Sequence, residues 1–396
     1  MENKKNILFS SGSLRMGGLE RVLIEVLQNI DKESMNIQLV INDDAGDKNI
    51  FRKDVPSEIT VHFLIDQEYF ELGEKLKYNK KNFFDKMKYN SYLSESRKKS
   101  ENAFLKYIKD YQEVEVIVDF DGGLSRYIEK VKGVKKILWL HNSPSKLLKK
   151  PSKIKRFGER LEKYDIVVAI CDDMKNEVIE LFPHLKERVT RIYNPFNFER
   201  IRKLAEDGSF LSGEEKNLID QEYCLAVSRL DTVQKDYDTL LKAFSKFKKS
   251  SKSDLKLYIC GDGPSRDEIE KMIDELKLSK EVVLLGQQKN PYIWMKRCQF
   301  FVHSSKYEGL PTVLIEAMIL GKTVVSSDCP TGPREILDDG HVGYLFKIGE
   351  VEMLSHILLE IENQEFLSEK ILKYIDKFST KYIMVEYQEL ISRILC

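Results

Sequence analysis

The chain alternates short apolar runs with longer amphipathic stretches. Asn6–Ser10, Ile37–Ile41, Ile59–Leu64, Val114–Val118, Lys136–Leu140, Asp165–Ile170 and Val189–Tyr193 have strand length and strand composition. So do Tyr223–Val227, Leu255–Cys260, Val282–Leu285, Phe300–His303 and Thr323–Ser327, the last core strand of the pattern. Between them lie segments with apolar residues at helical spacing, such as Leu19–Leu27 and Tyr237–Lys248. Continuous apolar strands separated by helices predict parallel, doubly wound sheets. The rhythm breaks once. From Asn194 to Gln221 the chain is polar and charged, with Asn194-Pro195 at its head, so a linker with a short helix is expected there. This divides the chain into residues 1–195, a linker 196–221, residues 222–376, and a final helix, 377–396, long enough to return to the first domain.

At 396 residues and 42% hydrophobic content, the chain can bury two cores. Its net charge is zero, which excludes wholesale attraction to nucleic acid. The charge is nevertheless uneven: roughly +5 over the first 200 residues and roughly −5 over the rest. Two stretches concentrate it. From Leu72 to Asp110 a helical, lysine-rich region (75–99) intersperses Phe83, Phe84, Met87, Tyr89 and Tyr92. It reads either as a basic amphipathic surface for an anionic bilayer or as a solvated helix pair whose aromatics face the core. The second stretch, 146–163, holds Lys146, Lys149, Lys150, Lys153, Lys155, Arg156, Arg160 and Lys163. Six dispersed cysteines without a C-x-x-C pair suit buried thiols in a reducing cytosol. No signal-peptide core and no apolar window of spanning length is present in the sequence.

The candidate chemistry lies in loops that follow strands. After Phe300–His303 comes Ser304, then Glu308-Gly309-Leu310-Pro311-Thr312-Val313-Leu314, with Glu316 inside the helix that follows and Gly321 as its stop. Pro311 suits a helix start, and the amides of Thr312, Val313 and Leu314 are expected to be free for an anion. Carboxylates on either side of that start suit a ligand with phosphate in the middle and hydroxyls at both ends. After Tyr223–Val227, Arg229 and Lys235 can supply a fork and a point charge for a diphosphate. In the first half, Gly17 and Gly18 open a loop to close backbone approach, Arg15 stands in the same loop, and His141 ends a strand. Asp119-Phe120-Asp121 also ends a strand. Two carboxylates are too few for a metal, so acceptor binding or a structural role is expected of Asp121.

These motifs resemble those of the retaining family-4 glycosyltransferases: Glu308 and Glu316 as E-x7-E, Gly17-Gly18-Leu19-Glu20-Arg21 in the first loop, Arg229 and Lys235 as R-x5-K, and Gly261-Asp262-Gly263-Pro264. Ser228 and Asp236 stand where that family usually has glycines. The string from Gly332 to Ile336 resembles a subgroup acting in bacterial surface-polysaccharide synthesis. The resemblance implies the GT-B fold, with two Rossmann-like domains facing a cleft, an N-terminal acceptor-binding domain and a C-terminal nucleotide-sugar-binding domain. It implies transfer of a hexosyl or N-acetylhexosaminyl unit from a UDP-sugar to a glycan or lipid-linked acceptor, without a metal or other cofactor. It places Glu308 and His141 against the donor sugar, Arg229 and Lys235 on the departing UDP, Gln288 in the loop under the nucleobase and Glu316 on the ribose. Gly261, Ser304, Leu310 and the amides after Pro311 join the donor site; Asp121 and Arg15 face the acceptor. The expected location is the inner face of the cytoplasmic membrane. Two alternatives stand beside this: a GT-B nucleotide-sugar epimerase, which needs its own acid/base carboxylates, and a non-catalytic partner subunit, which would be expected to lose Glu308, Glu316, Arg229 or Lys235.

Overall fold

The structure is a computed structural model describing residues 4–111, 113–144, 148, 150–362 and 368–395. Lys146 and Lys149 of the second basic stretch lie outside the described residues. Two compact units divide the chain: Met1–Ile170 with Lys175–Phe196 and Thr380–Cys396, and Cys171–Met174 with Asn197–Ser379.

The first unit is built on seven parallel strands: β1 Lys5–Ser11, β2 Met35–Asp43, β3 Thr60–Ile65, β4 Val116–Asp119, β5 Lys135–Leu140, β6 Ile166–Ala169 and β7 Val189–Arg191. Their order is β3-β2-β1-β4-β5-β6-β7. The central strands are buried on both faces, which is why they read as unbroken apolar runs. The final helix, Thr380–Leu395, packs on this unit. Tyr387 stacks on Trp139 with ring centres 4.5 Å apart, and Glu386 accepts from Arg191 at 3.1 Å.

The second unit carries six parallel strands: β8 Tyr223–Val227, β9 Lys256–Cys260, β10 Val282–Gly286, β11 Phe300–His303, β12 Thr323–Ser327 and β13 Tyr344–Phe346, in the order β10-β9-β8-β11-β12-β13. Its core on one face gathers Leu240, Phe244 and Phe247 against Leu257, Ile259 and Val302. The piece Cys171–Met174 is tied to it by Glu335, which accepts the amides of Asp172 and Asp173.

Two expectations change, at the sheet edge and in the polar stretch before β8. β13 adds an edge strand beyond β12; at three residues, two of them half-buried, it is too short to show a period. The polar stretch before β8 holds two helices, Phe198–Glu206 and Gly213–Leu218, rather than one. The lysine-rich region is a helix pair, as one of its two readings has it: Gln67–Tyr78 and Phe83–Asp110, the second opened by a capping box of Asn82 and Asp85. The C-terminal helical stretch is broken at Asp376–Phe378.

In each sheet the strand order reverses once, between β1 and β4 and between β8 and β11. At such a point neighbouring strands send their following helices to opposite faces, which leaves a crevice at their carboxyl ends. Arg15, Gly17, Gly18, Asp121, Arg229, Lys235 and Glu308 sit in the loops after these four strands, and His141, Gly261 and Gln288 follow β5, β9 and β10.

Candidate active site

In the second unit the loops after β8 and β11 are laced together. Lys235 bridges to Ser305, the Asp236 amide donates to the Ser304 carbonyl at 3.0 Å, and the Lys306 amide donates to the Gln234 carbonyl at 2.8 Å. Across this seam the Lys235 ammonium is bonded directly to Glu308 Oε1. Both side chains are nearly buried, with 12% and 9% exposed. Glu308 also accepts from Ser305 Oγ at 2.6 Å and Gln234 Nε2 at 3.2 Å, and His303 Nε2 lies 3.0 Å away. Burial alone pushes the Glu308 carboxyl up. The hydrogen bond from His303 and the charge of Lys235 outweigh it and hold the group down at about 2. Burial keeps His303 below its usual value, so it is neutral at pH 7 and donates as an imidazole.

Lys235 is therefore a paired cation and not a free one, and its ammonium has no second hydrogen-bond partner among the described residues. Arg229 is exposed and engages Asp231 at 2.7 Å. The two departures from the family pattern have structural work. Asp236 caps the helix Tyr237–Ser250, accepting from Thr239 Oγ1 at 2.7 Å, and Ser228 Oγ meets the Tyr237 hydroxyl at 2.7 Å.

The helix after Glu308 is Thr312–Ile319, with Pro311 as its N-cap. Its end is a Schellman motif: the Lys322 amide donates to the Ala317 carbonyl and the Gly321 amide to the Met318 carbonyl, with Gly321 at φ +73°. One expectation is corrected here. The Leu314 amide is not free, because the first turn tightens and it donates to the Pro311 carbonyl at 3.1 Å. The amides of Thr312 and Val313 keep no partner among the described residues. Glu316 accepts from the Tyr292 hydroxyl at 3.2 Å. Thr331 Oγ1 donates to the Gly309 carbonyl at 2.7 Å and fixes the loop ahead of the helix.

Other predicted donor-site positions serve the protein itself. Gln288 donates to Glu215 and to the Leu285 carbonyl and accepts from Trp294. A Cβ at Gly261, whose φ is +144°, would fall 2.0 Å from the Ser228 carbonyl oxygen. That glycine lets the turn after β9 pass the loop after β8. Leu310 is buried, and the Ser304 hydroxyl is buried without a partner among the described residues.

In the first unit the loops after β1 and β4 are joined by Asp121. Its Oδ2 accepts the Gly12 amide at 2.6 Å and its Oδ1 the Gly123 amide at 2.9 Å. Asp119 points the other way. It is fully buried, bonded to the Tyr164 hydroxyl and the Leu124 amide, and burial followed by the charge of Asp121 raises it to about 8. The D-x-D spacing thus puts one carboxylate in the core and one in the loop. Among the described residues no group of three metal-binding side chains occurs. His141 borders a cavity of about 190 Å³ with Asp121, Trp139 and Arg160. Burial takes it down to about 4, and its Nε2 has no partner among the described residues. Gly18 would leave an added Cβ free of neighbours, so no packing demands a glycine there. Arg15 lies over the Phe70 ring.

Residues 212–378 match the family model "Glycosyl transferases group 1". This segment is a glycosyl transferases group 1 domain. An uncharacterized glycosyltransferase of Methanocaldococcus jannaschii is 31% identical over 59% of this chain and 60% of its own length. An N-acetylgalactosaminyltransferase of Campylobacter jejuni, whose name gives a diphospho-undecaprenol-linked acceptor, is 32% identical over 47% of each chain. The chain thus spans about half the length of these relatives. A second C. jejuni enzyme, an alpha-1,4-N-acetyl-D-galactosaminyltransferase named for a PP-undecaprenol-linked glycan, aligns over 98% of both chains at 26% identity. HepE of Anabaena, solved with UDP and glucose, superposes with a TM-score of 0.76 over 98% of this chain and all of its own, at 19% identity. The two-sheet architecture is the GT-B fold.

His303, Ser305, Gln234 and Thr331 belong to the site and were not singled out from sequence. His303 ends a strand before a polar turn, the same signal that marks His141, but its apolar run reads as core.

The Glu308 network gives a pH prediction. A carboxyl held below its ordinary value stabilises the fold fully above the ordinary range and loses that contribution as pH falls through its folded value. Wild type should exceed Glu308→Gln in unfolding free energy by about 3 kcal/mol at neutral pH. The gap should shrink below pH 5 and close near pH 2 in denaturant titrations. A gap independent of pH would contradict the network.

Proposed function

We propose that the chain is a retaining glycosyltransferase that moves a hexose or N-acetylhexosamine from a UDP-sugar to a glycan or lipid-linked acceptor in bacterial surface-polysaccharide synthesis. The observation that carries this is the seat made by Glu308, Lys235 and the amides of Thr312 and Val313, at the switch point of a glycosyl transferases group 1 domain. The names of the relatives that transfer N-acetylgalactosamine to diphospho-undecaprenol-linked glycans support the acceptor class. The neighbour holding UDP and glucose supports the donor.

In this proposal the bond between the anomeric carbon and the diphosphate breaks, and negative charge grows on the departing UDP. Arg229, the Lys235 ammonium and the two free amides oppose that charge, and they do so more in the transition state than before it. Glu308, already ionised and fixed by four neighbours, holds sugar hydroxyls and faces the oxocarbenium-like centre. Glu316 takes the ribose, and His141 contacts the sugar through its free Nε2. The acceptor hydroxyl attacks on the face that UDP leaves and gives its proton to the departing phosphate. No metal takes part. Arg229→Ala and Glu308→Ala should each lower transfer by about 10²–10³-fold, scored as nucleotide release across UDP-, GDP- and ADP-sugars with a lipid-linked acceptor. Unchanged rates in both variants, or release from none of the donors by wild type, would overturn the assignment.

A membrane role belongs to the same proposal. At the turn between the helices Gln67–Tyr78 and Phe83–Asp110, Tyr78, Phe83, Phe84 and Met87 are 86%, 75%, 68% and 54% exposed. Lys75, Lys77, Lys80, Lys81, Lys86 and Lys88 surround them, all exposed. Tyr92 turns inward and stacks on Tyr69 at 4.9 Å. The segment therefore divides into an inward aromatic pair and an outward apolar tip ringed by cations, which suits the interface of an anionic bilayer. Among the described residues no helix is long and apolar enough to cross a membrane. We place the protein at the inner face of the cytoplasmic membrane, bound peripherally. Phe83→Glu with Phe84→Glu should abolish co-sedimentation with phosphatidylglycerol vesicles, and retained co-sedimentation would remove the tip from the proposal.

A further inference from the structure

Three hollows run along the first unit. The largest, about 460 Å³, is lined by Arg97, Lys98 and Arg126 together with Ser94 and Ser96. The next, about 220 Å³, lies between Arg126, Arg156 and Arg160. The third is the 190 Å³ cavity of His141, which Arg160 also borders. Arg126 is a wall of the first two hollows and Arg160 of the last two, so the three form one track. The arginines come from three elements: Arg97 from the helix Phe83–Asp110, Arg126 from the turn Gly123–Arg126, and Arg156 and Arg160 from the helix Pro151–Leu161.

Cations outnumber acids along this track: Asp121, a carboxylate on the walls of the first and third hollows, accepts the amides of Gly12 and Gly123. Glu101, on the wall of the largest hollow, is bonded to Lys130, and Lys163 in the middle one pairs with Glu129 at 2.8 Å. Glu159 is the acid left facing the middle hollow. None of the four guanidinium groups makes an ion pair with a described residue. Burial, and then the charges of Arg97, Arg160 and Arg156, push the Arg126 guanidinium below its usual value. Like charges gathered without partners cost free energy in the empty protein, and a polyanion relieves that cost. Guanidinium forks bind phosphate oxygens in pairs, and hydroxyl groups on the same walls can donate alongside them.

We infer that the two adjoining hollows walled by Arg97, Arg126, Arg156 and Arg160 are together a binding site for a diphosphate, the group that joins an acceptor glycan to its lipid. This rests on the lipid-linked acceptor of the proposed function. Four forks over two adjoining hollows exceed what one phosphate uses, and the track ends at the cavity of His141, where a glycan can continue. Arg97 stands about 20 Å along its helix from Phe83 and Phe84, at ~1.5 Å per residue, so the site and the apolar tip are separable by mutation.

The test uses the full chain, inorganic pyrophosphate as probe, and calorimetric titration in saturating UDP, which keeps the probe out of the donor site. Wild type should bind pyrophosphate more tightly than inorganic phosphate. Arg126→Gln with Arg160→Gln should weaken pyrophosphate binding by about tenfold or more. The same variant should keep its UDP affinity, its thermal midpoint and its co-sedimentation with phosphatidylglycerol vesicles. Arg126→Lys with Arg160→Lys should recover part of the loss, because charge returns without the fork. Equal pyrophosphate affinity in wild type and the glutamine variant would overturn the site, as would no pyrophosphate binding by wild type. Inorganic phosphate binding as tightly as pyrophosphate would overturn the diphosphate assignment. Loss of vesicle binding with pyrophosphate binding intact would make the arginines a lipid-headgroup surface instead. If UDP itself fails to bind, the donor assignment falls, and the comparison of wild type with variant in pyrophosphate alone still decides this one.

Discussion

One buried ion pair holds the C-terminal unit's chemistry in place. Lys235 and Glu308 stand 73 residues apart in sequence, on loops that leave neighbouring strands toward the same crevice. Neither loop has regular structure to fix it. Their backbones meet at the Lys235–Ser305 bridge, and the side chains then lock over that seam. A charge taken out of water without a partner costs several kcal/mol, so each member makes the other's position mandatory. His303, Ser305 and Gln234 fill the remaining lone pairs of the carboxylate, which is what such a pair requires to be worth burying.

That constraint shapes the seat beside it. With Glu308 anchored and Thr331 holding the Gly309 carbonyl, the chain enters the helix Thr312–Ile319 in one direction only. The two free amides at its start then point where the loop dictates. The glycines after β9 serve the same end from below, since any side chain at Gly261 would strike the backbone of the loop that carries Arg229. Pre-set donors need no rearrangement when charge develops, and this is where such sites gain over water. In the first unit Asp121 does the comparable work with a single carboxylate and two amides.

Much of this was legible in the chain itself. Strands buried on both faces announce themselves as apolar runs, and their loops carried the conspicuous Glu308, Glu316, Arg229 and Lys235. What could not be read were the pairings. A lysine that looks like a free phosphate ligand is tied to a glutamate, Gln288 is saturated by Glu215, Leu285 and Trp294, and Leu314 spends its amide in a tight first turn. Each depends on which loops the strand order brings together, and that order is not written locally. β13 escaped because three residues, only one of them buried, show no period. The arginine track escaped for a related reason: positions 97, 126, 156 and 160 belong to separate elements and look like ordinary surface charge until the fold gathers them.

The ion pair can be tested without any substrate. A double-mutant cycle between Lys235→Met and Glu308→Gln, read from the unfolding of the C-terminal unit in urea at neutral pH, measures how far each residue's contribution depends on the other. A coupling of about 2 kcal/mol or more is predicted, the double variant being far less destabilised than the sum of the singles. Effects that add to within about 0.5 kcal/mol would mean the two loops are held by something else.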